Sequence, residues 1–291
     1  MRLPLINTHL KNTYNDLPDC VQTTTTTTST PRRITLKYKI IGDWLGIFII
    51  LVAVLIFYAF LKPPVQRFSL TDPALSLPLV DPRVNNILAG ILSFTIPATT
   101  LLIVNLLFFG NKWDLYSGIT GMVFAYVLSL LISSTCWFLI GGIRPNFLST
   151  CDVDESKLQQ IDHLKPVQYY TVDVCKNQKD FGVDTFHAFP SGHASSAFAP
   201  FTFLSCYLAS HFRLYTHKLF LLTFLVYLPF LPAMWIATSR LADYNHSGLQ
   251  VFVGIVIGLI SGLVGYSYVY VNGLFFGYGR WAHIPSIFKF M

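Results

Sequence analysis

Six apolar stretches organise the chain, at residues 42–61, 87–109, 116–140, 191–211, 218–238 and 249–271, and each is long enough to cross a bilayer. Runs of that length restrict the fold severely. Hydrocarbon offers the backbone no hydrogen-bond partners, so an uninterrupted apolar segment must satisfy its own N–H and C=O groups as a helix. Composition points the same way: only 12% of the 291 residues are charged and 53% are hydrophobic. Soluble domains carry about 25% charged residues, so lipid is the natural solvent for this chain. Pro97, Pro200, Pro229 and Pro232 fall inside the runs, where neighbouring helices can satisfy the carbonyls they release. The expected fold class is all-α, a polytopic integral membrane protein with six transmembrane helices. No basic run interleaved with aromatics marks a nucleic-acid interface, so no nucleic-acid partner is expected.

Residues 1–38 are polar, with a threonine run from Thr23 to Thr28, and read as a disordered tail. They hold no early apolar core of the signal-peptide kind, so a cleaved leader is not expected. A membrane domain at 39–272 and a C-terminal tail at 273–291 complete the division. With the N-terminus cytoplasmic, that side collects Arg32, Arg33, Lys37 and Lys39 together with Lys112, Arg213, Lys218, Arg280 and Lys289. The excess favours both termini inside. The loops 62–86, 141–190 and 239–248 then meet on the luminal or extracellular face. Cys151 and Cys175 both lie in the long loop on that oxidising side and are expected to form a disulfide, the alternative being two free thiols.

That face carries the chemistry. The third run ends in Arg144-Pro145, the fourth opens with Pro190-Ser191-Gly192-His193, and Ser239-Arg240 and His246 lie between the fifth and sixth. Each has a bland reading alone: an arginine that snorkels to the interface, or a helix N-cap with Ser191 accepting from the first turn. As a set they suit phosphoryl transfer. Arginine forks match phosphate oxygens and keep their charge, and a helix N-terminus adds backbone donors. One imidazole can attack phosphorus while a second protonates the departing oxygen. The sequence offers no carboxylate cluster for Mg²⁺, so no metal cofactor is expected.

These three motifs resemble the signature of the type 2 phosphatidic acid phosphatase family, within the lipid phosphate phosphatase and haloperoxidase superfamily. The family pattern is lysine, six residues, Arg-Pro; then Pro-Ser-Gly-His; then Ser-Arg, five residues, His, three residues, Asp. Arg144-Pro145-Asn146-Phe147-Leu148 and Asp173-Val174-Cys175 resemble the fungal lipid phosphate and diacylglycerol pyrophosphate phosphatases in particular. The resemblance implies that His246 is the nucleophile, forming a phosphohistidine, and that His193 is the general acid. It implies that Arg144, Arg240, Ser191 and the Gly192 amide hold the phosphate, with a membrane phospholipid as substrate and no divalent metal.

Two positions depart from the pattern: Trp137 stands for the lysine and Gln250 for the aspartate. Gln250, one helical turn beyond His246, is the expected orienter of that ring, and Asp243 is the alternative. Because Trp137 and Gln250 replace the family lysine and aspartate, the alternative reading is a catalytically weak or dead pseudophosphatase that binds phospholipid. A transporter or scramblase is the third reading, disfavoured because the runs carry essentially no charge. Among smaller features, Asn245-His246-Ser247 is a glycosylation sequon not expected to be occupied. His187 reads as a solvated loop residue or a pocket wall, and Trp113, Trp137 and Trp281 as an aromatic belt.

Overall fold

The computed structural model describes residues 31–158, 169–176, 183–212 and 220–270. The expected C-terminal tail and the first 30 residues of the expected N-terminal tail lie outside the described residues. The chain divides into two units, 1–40 and 41–291, and everything below concerns the second unless stated.

Helix α1, Pro31–Phe60, starts inside the stretch expected to be a disordered tail. Proline suits a first turn, where its missing N–H would have no partner anyway. Helix α2, Asn86–Val104, is capped by Asn85, whose Oδ1 accepts from the Leu88 N–H at 2.8 Å, and it widens into a π turn at Asn105–Phe109. Helix α3 is Lys112–Leu139, capped by the Asn111 side chain. The short α4, Phe147–Cys151, and α5, Glu155–Leu158, follow in the long loop. Then come α6, Gly192–His211; α7, Phe220–Tyr227; α8, Phe230–Ala242; and α9, Gly248–Val269. Among the described residues there are no strands, only isolated bridges.

Among the described residues five segments are long and apolar enough to cross a membrane: Tyr38–Phe60, Asn86–Phe109, Lys112–Leu139, Phe224–Ala242 and Gly248–Val269. The six-span expectation differs at its fourth member. That run is α6, a 20-residue helix that meets the length but not the apolarity. Its position in the bundle explains this. It packs against α2, α3, α8 and α9, and nearly every residue from Ala194 to Ser210 is buried. A helix that faces protein on all sides can carry Ser195, Ser196, Thr202, Ser205 and Ser210, each bonded locally or to a neighbour or packed in the interior. The α6–α9 contact is close because α9 turns a stripe of small residues toward it. A Cβ at Gly258 would lie 2.7 Å from the Ser195 carbonyl oxygen, and one at Gly262 2.6 Å from that of Ala199. The fifth expected run is displaced, breaking at Leu228–Pro229 and continuing as α8 to Ala242.

The C-terminus of α3, the N-terminus of α6, the C-terminus of α8 and the N-terminus of α9 share one end of the bundle. Loops cover that end. Phe68 and Tyr170 exchange backbone hydrogen bonds of 3.0 and 2.8 Å, and Phe68, Phe147, Val174 and Phe186 form a small core of the cover. Cys151 and Cys175 are joined in a disulfide with Cα atoms 4.9 Å apart, whereas Cys136 and Cys206 are free thiols. At the opposite end, Asp114 of α3 accepts from Asn105 (2.9 Å), Tyr207 (2.8 Å) and Tyr270 (2.9 Å), and faces His211 Nε2 at 3.1 Å.

Candidate active site

The covered end gathers the residues singled out in the sequence. His246 follows the tight turn after α8, where Tyr244 adopts a left-handed φ of 53°. Its ring is buried, 6% exposed, and Nδ1 lies 2.9 Å from the Ala188 carbonyl oxygen. A carbonyl only accepts, so Nδ1 carries the proton and Nε2 keeps its lone pair. Burial, followed by the charges of Arg144 and His193, pushes the His246 pKa down to about 3 against an ordinary 6.5, with Arg240 adding to the effect. The ring is therefore neutral at physiological pH.

His193 occupies the first turn of α6. Its ring rests on the backbone of Val84 and Asn85 and feels the charges of Arg240 and Arg144. Its Nε2 is buried with no hydrogen-bond partner among the described residues, and so is the Ser191 hydroxyl. Ser191 is the N-cap residue of α6, but its side chain makes no capping bond, which corrects the capping role expected for it. Its hydroxyl is left for a ligand at the helix N-terminus.

Two arginines come from different segments. Arg240, 3% exposed, donates from Nη2 to Asp243 Oδ2 at 2.9 Å. That carboxylate also accepts the Arg83 N–H at 2.9 Å and approaches Arg83 Nε at 3.4 Å. Arg144 follows Gly141 and Gly142, and its Nη1 donates to Asn245 Oδ1 at 3.1 Å. Arg83 and Asn245 are the residues the motif reading missed. Asn245 stood in plain view beside His246 but signalled only a sequon, and here its side chain is buried and engaged.

The two expected orienters of His246 are elsewhere. Asp243 is committed to Arg240 and Arg83. Gln250 accepts the Ser247 N–H at 2.9 Å and donates from Nε2 to the Ile143 carbonyl at 3.2 Å. The capping box at the start of α9 commits the Gln250 side chain to the backbone of its own first turn. A backbone carbonyl does the orienting, and no side-chain pattern could have announced it.

Trp137 is not part of an aromatic belt. Its Nε1 donates to the Pro190 carbonyl at 2.7 Å, and its ring stacks on His187 at 5.6 Å and 18°. A Cβ on Gly192 would lie 2.5 Å from the indole, so this glycine is required by the tryptophan pressed against it. His187, 5% exposed, is enclosed by Tyr58, Trp137 and Phe138, which corrects the solvated reading. Among the described residues no group of three His, Cys, Asp or Glu is placed to hold a metal ion.

A profile of the PAP2 superfamily matches residues 118–274, more than half of the chain, and every residue of the site from Trp137 to Gln250 lies inside that span. The chain belongs to the PAP2 superfamily. Similar PAP2 relatives include a PA-phosphatase related-family protein of Dictyostelium discoideum, 28% identical over 83% of this chain and 72% of the relative. Diacylglycerol pyrophosphate phosphatase 1 of Saccharomyces cerevisiae is 30% identical over 79% of each chain. Lipid phosphate phosphatase 1 of Arabidopsis thaliana is 31% identical over 82% of this chain and 70% of its own. Among solved structures, Aquifex aeolicus LpxE is similar at 19% identity and a TM-score of 0.34, covering 62% of this chain and 82% of its own.

Proposed function

We propose that this PAP2 protein is a lipid phosphate phosphatase that hydrolyses phosphomonoester lipids through a phosphohistidine. The observation that carries the reading is the Nδ1 contact of His246 with Ala188, which supplies a neutral ring of fixed tautomer without a carboxylate. Nε2 attacks phosphorus; Arg144, Arg240, the Ser191 hydroxyl and the Gly192 amide hold the oxygens; His193 protonates the departing alkoxide. Water then attacks the phosphohistidine, with His193 taking its proton and His246 leaving. The arginines supply the charge that neutralises phosphate, so turnover without a divalent metal belongs to the proposal.

Phosphatidate, lysophosphatidate, diacylglycerol pyrophosphate and sphingoid-base phosphates are the substrate class, in line with the names of the yeast and plant relatives. A site at one end of the bundle suits a headgroup whose acyl chains remain among apolar helices. The disulfide at Cys151–Cys175 supports a luminal or extracellular face for that end, with both termini cytoplasmic and α6 as the sixth span. The binding-only reading rests on Trp137, which brings no cation.

The test is phosphate release from phosphatidate by purified protein in EDTA, beside His246→Asn. Metal-independent turnover, lost in the variant and accompanied by an acid-labile phosphoenzyme, supports the enzyme. Retained phosphatidate binding with no turnover in the wild type replaces it with the pseudophosphatase.

A further inference from the structure

Gln250 touches all three segments that build the phosphate site. Its backbone carbonyl accepts the Ser191 N–H at 3.0 Å, fixing the residue that opens α6. Its Nε2 donates to the Ile143 carbonyl at 3.2 Å, one residue before Arg144. Its Oε1 accepts the Ser247 N–H at 2.9 Å, one residue after His246, and its own N–H returns to Ser247 Oγ at 3.4 Å. Two of these bonds need the side chain to be an acceptor at one atom and a donor at the other. At neutral pH an amide provides both, whereas a carboxylate only accepts.

We infer that Gln250 is a positioning residue whose neutral amide sets the spacing between the Arg144 and His246 segments, while its backbone carbonyl seats Ser191. The amide is therefore a working substitute for the family carboxylate, with a different task. A carboxylate at 250 would set its oxygen against the Ile143 carbonyl and release the Arg144 segment. An aspartate would also be one methylene too short to span from Ser247 to Ile143. The inference rests on the phosphatase reading for its kinetic readout, and orthovanadate binding supplies one that does not depend on turnover.

The experiment compares Gln250→Glu, Gln250→Asp and Gln250→Met with wild type, by kcat/KM on phosphatidate between pH 8 and pH 5 and by the protection orthovanadate gives against thermal unfolding. All three variants are expected to lose about tenfold or more at pH 8, the effect of one or two hydrogen bonds at a site that needs exact spacing. The Gln250→Glu to wild-type ratio should rise as pH falls, because a protonated carboxyl regains the donor toward Ile143. A purely structural defect would not recover with acid. If Gln250→Met does not fold, the pH dependence of Gln250→Glu decides the matter. A gain of activity in Gln250→Asp, or a Gln250→Glu ratio flat in pH, would overturn the inference. Should wild type show no turnover, the phosphatase reading fails separately. Gln250 is then judged by vanadate alone: about tenfold weaker protection in Gln250→Met upholds its role, and equal or absent protection in both proteins ends it.

Discussion

A neutral histidine held by a carbonyl has measurable consequences for pH. The folded His246 has a pKa of about 3, below the ordinary 6.5, so between those values the unfolded chain binds a proton that the native site refuses. Stability is thus lost as pH falls below 6.5, by about 1.4 kcal/mol per unit. Thermal unfolding of wild type and His246→Asn, followed from pH 7 to pH 4.5, should diverge by about 2–3 kcal/mol at the acid end, with wild type the more acid-sensitive. As the proposed nucleophile, His246 should also impose no loss of kcat/KM between pH 7 and pH 5; an acid limb near 6.5 that is traced to it would contradict its burial. Trp137 leads to a second prediction at this scale. Restoring the family lysine with Trp137→Lys removes the donor to Pro190 and the surface against which Gly192 packs. It should cost about 3 kcal/mol in stability and leave kcat/KM no higher than in wild type. A lowered KM would show that a cation at 137 can reach the phosphate.

The helices that place these residues differ in how plainly the sequence announces them. Helices α2, α3 and α9 follow their apolar runs to within a few residues, because lipid-facing segments must be apolar throughout their length. Helix α6 is less plain for the opposite reason: as the central helix it meets protein, and its serines blur the hydropathy. Within the site, arginine and histidine are legible because their chemistry resides in side chains. The Ala188 carbonyl, the Asn245 link to Arg144 and the Gln250 hub are not, since they depend on where a backbone atom or an amide comes to rest. Gly254 joins element to site. A Cβ there would lie 2.5 Å from the Ser191 carbonyl oxygen and 3.0 Å from the Ala194 Cβ, so Gly254→Ala should push the start of α6 away from α9. We expect kcat/KM to fall by about 10²-fold, as about 1 Å misplacements do, with the variant still folding cooperatively. A variant that unfolds yet retains its activity per folded molecule would mean that the contact serves packing alone.

At the scale of the whole molecule, the bundle is fastened at both ends by unlike means. One end is the candidate active site under its disulfide-bonded cover. The other is the Asp114 cluster, where a buried carboxylate ties the end of α2, the start of α3, the end of α6 and the residue that closes α9. His211 joins the cluster through both ring nitrogens, Nδ1 lying 2.9 Å from the Tyr207 carbonyl and Nε2 3.1 Å from Asp114. A buried network of this kind is costly to break, because donors that lose their acceptor are left unsatisfied away from water. Asp114→Asn should therefore lower the unfolding free energy by about 1–3 kcal/mol. Because α6 is rigid and packed along its whole length, the loss should appear as cooperative unfolding, and the opposite site should keep its geometry. Activity per folded molecule at 25 °C should stay within about twofold of wild type. The decisive comparison is kcat/KM against the unfolding midpoint in the same preparation. A fall in kcat/KM at an unchanged midpoint would make the Asp114 cluster a control point for His193 at the far end of the same helix.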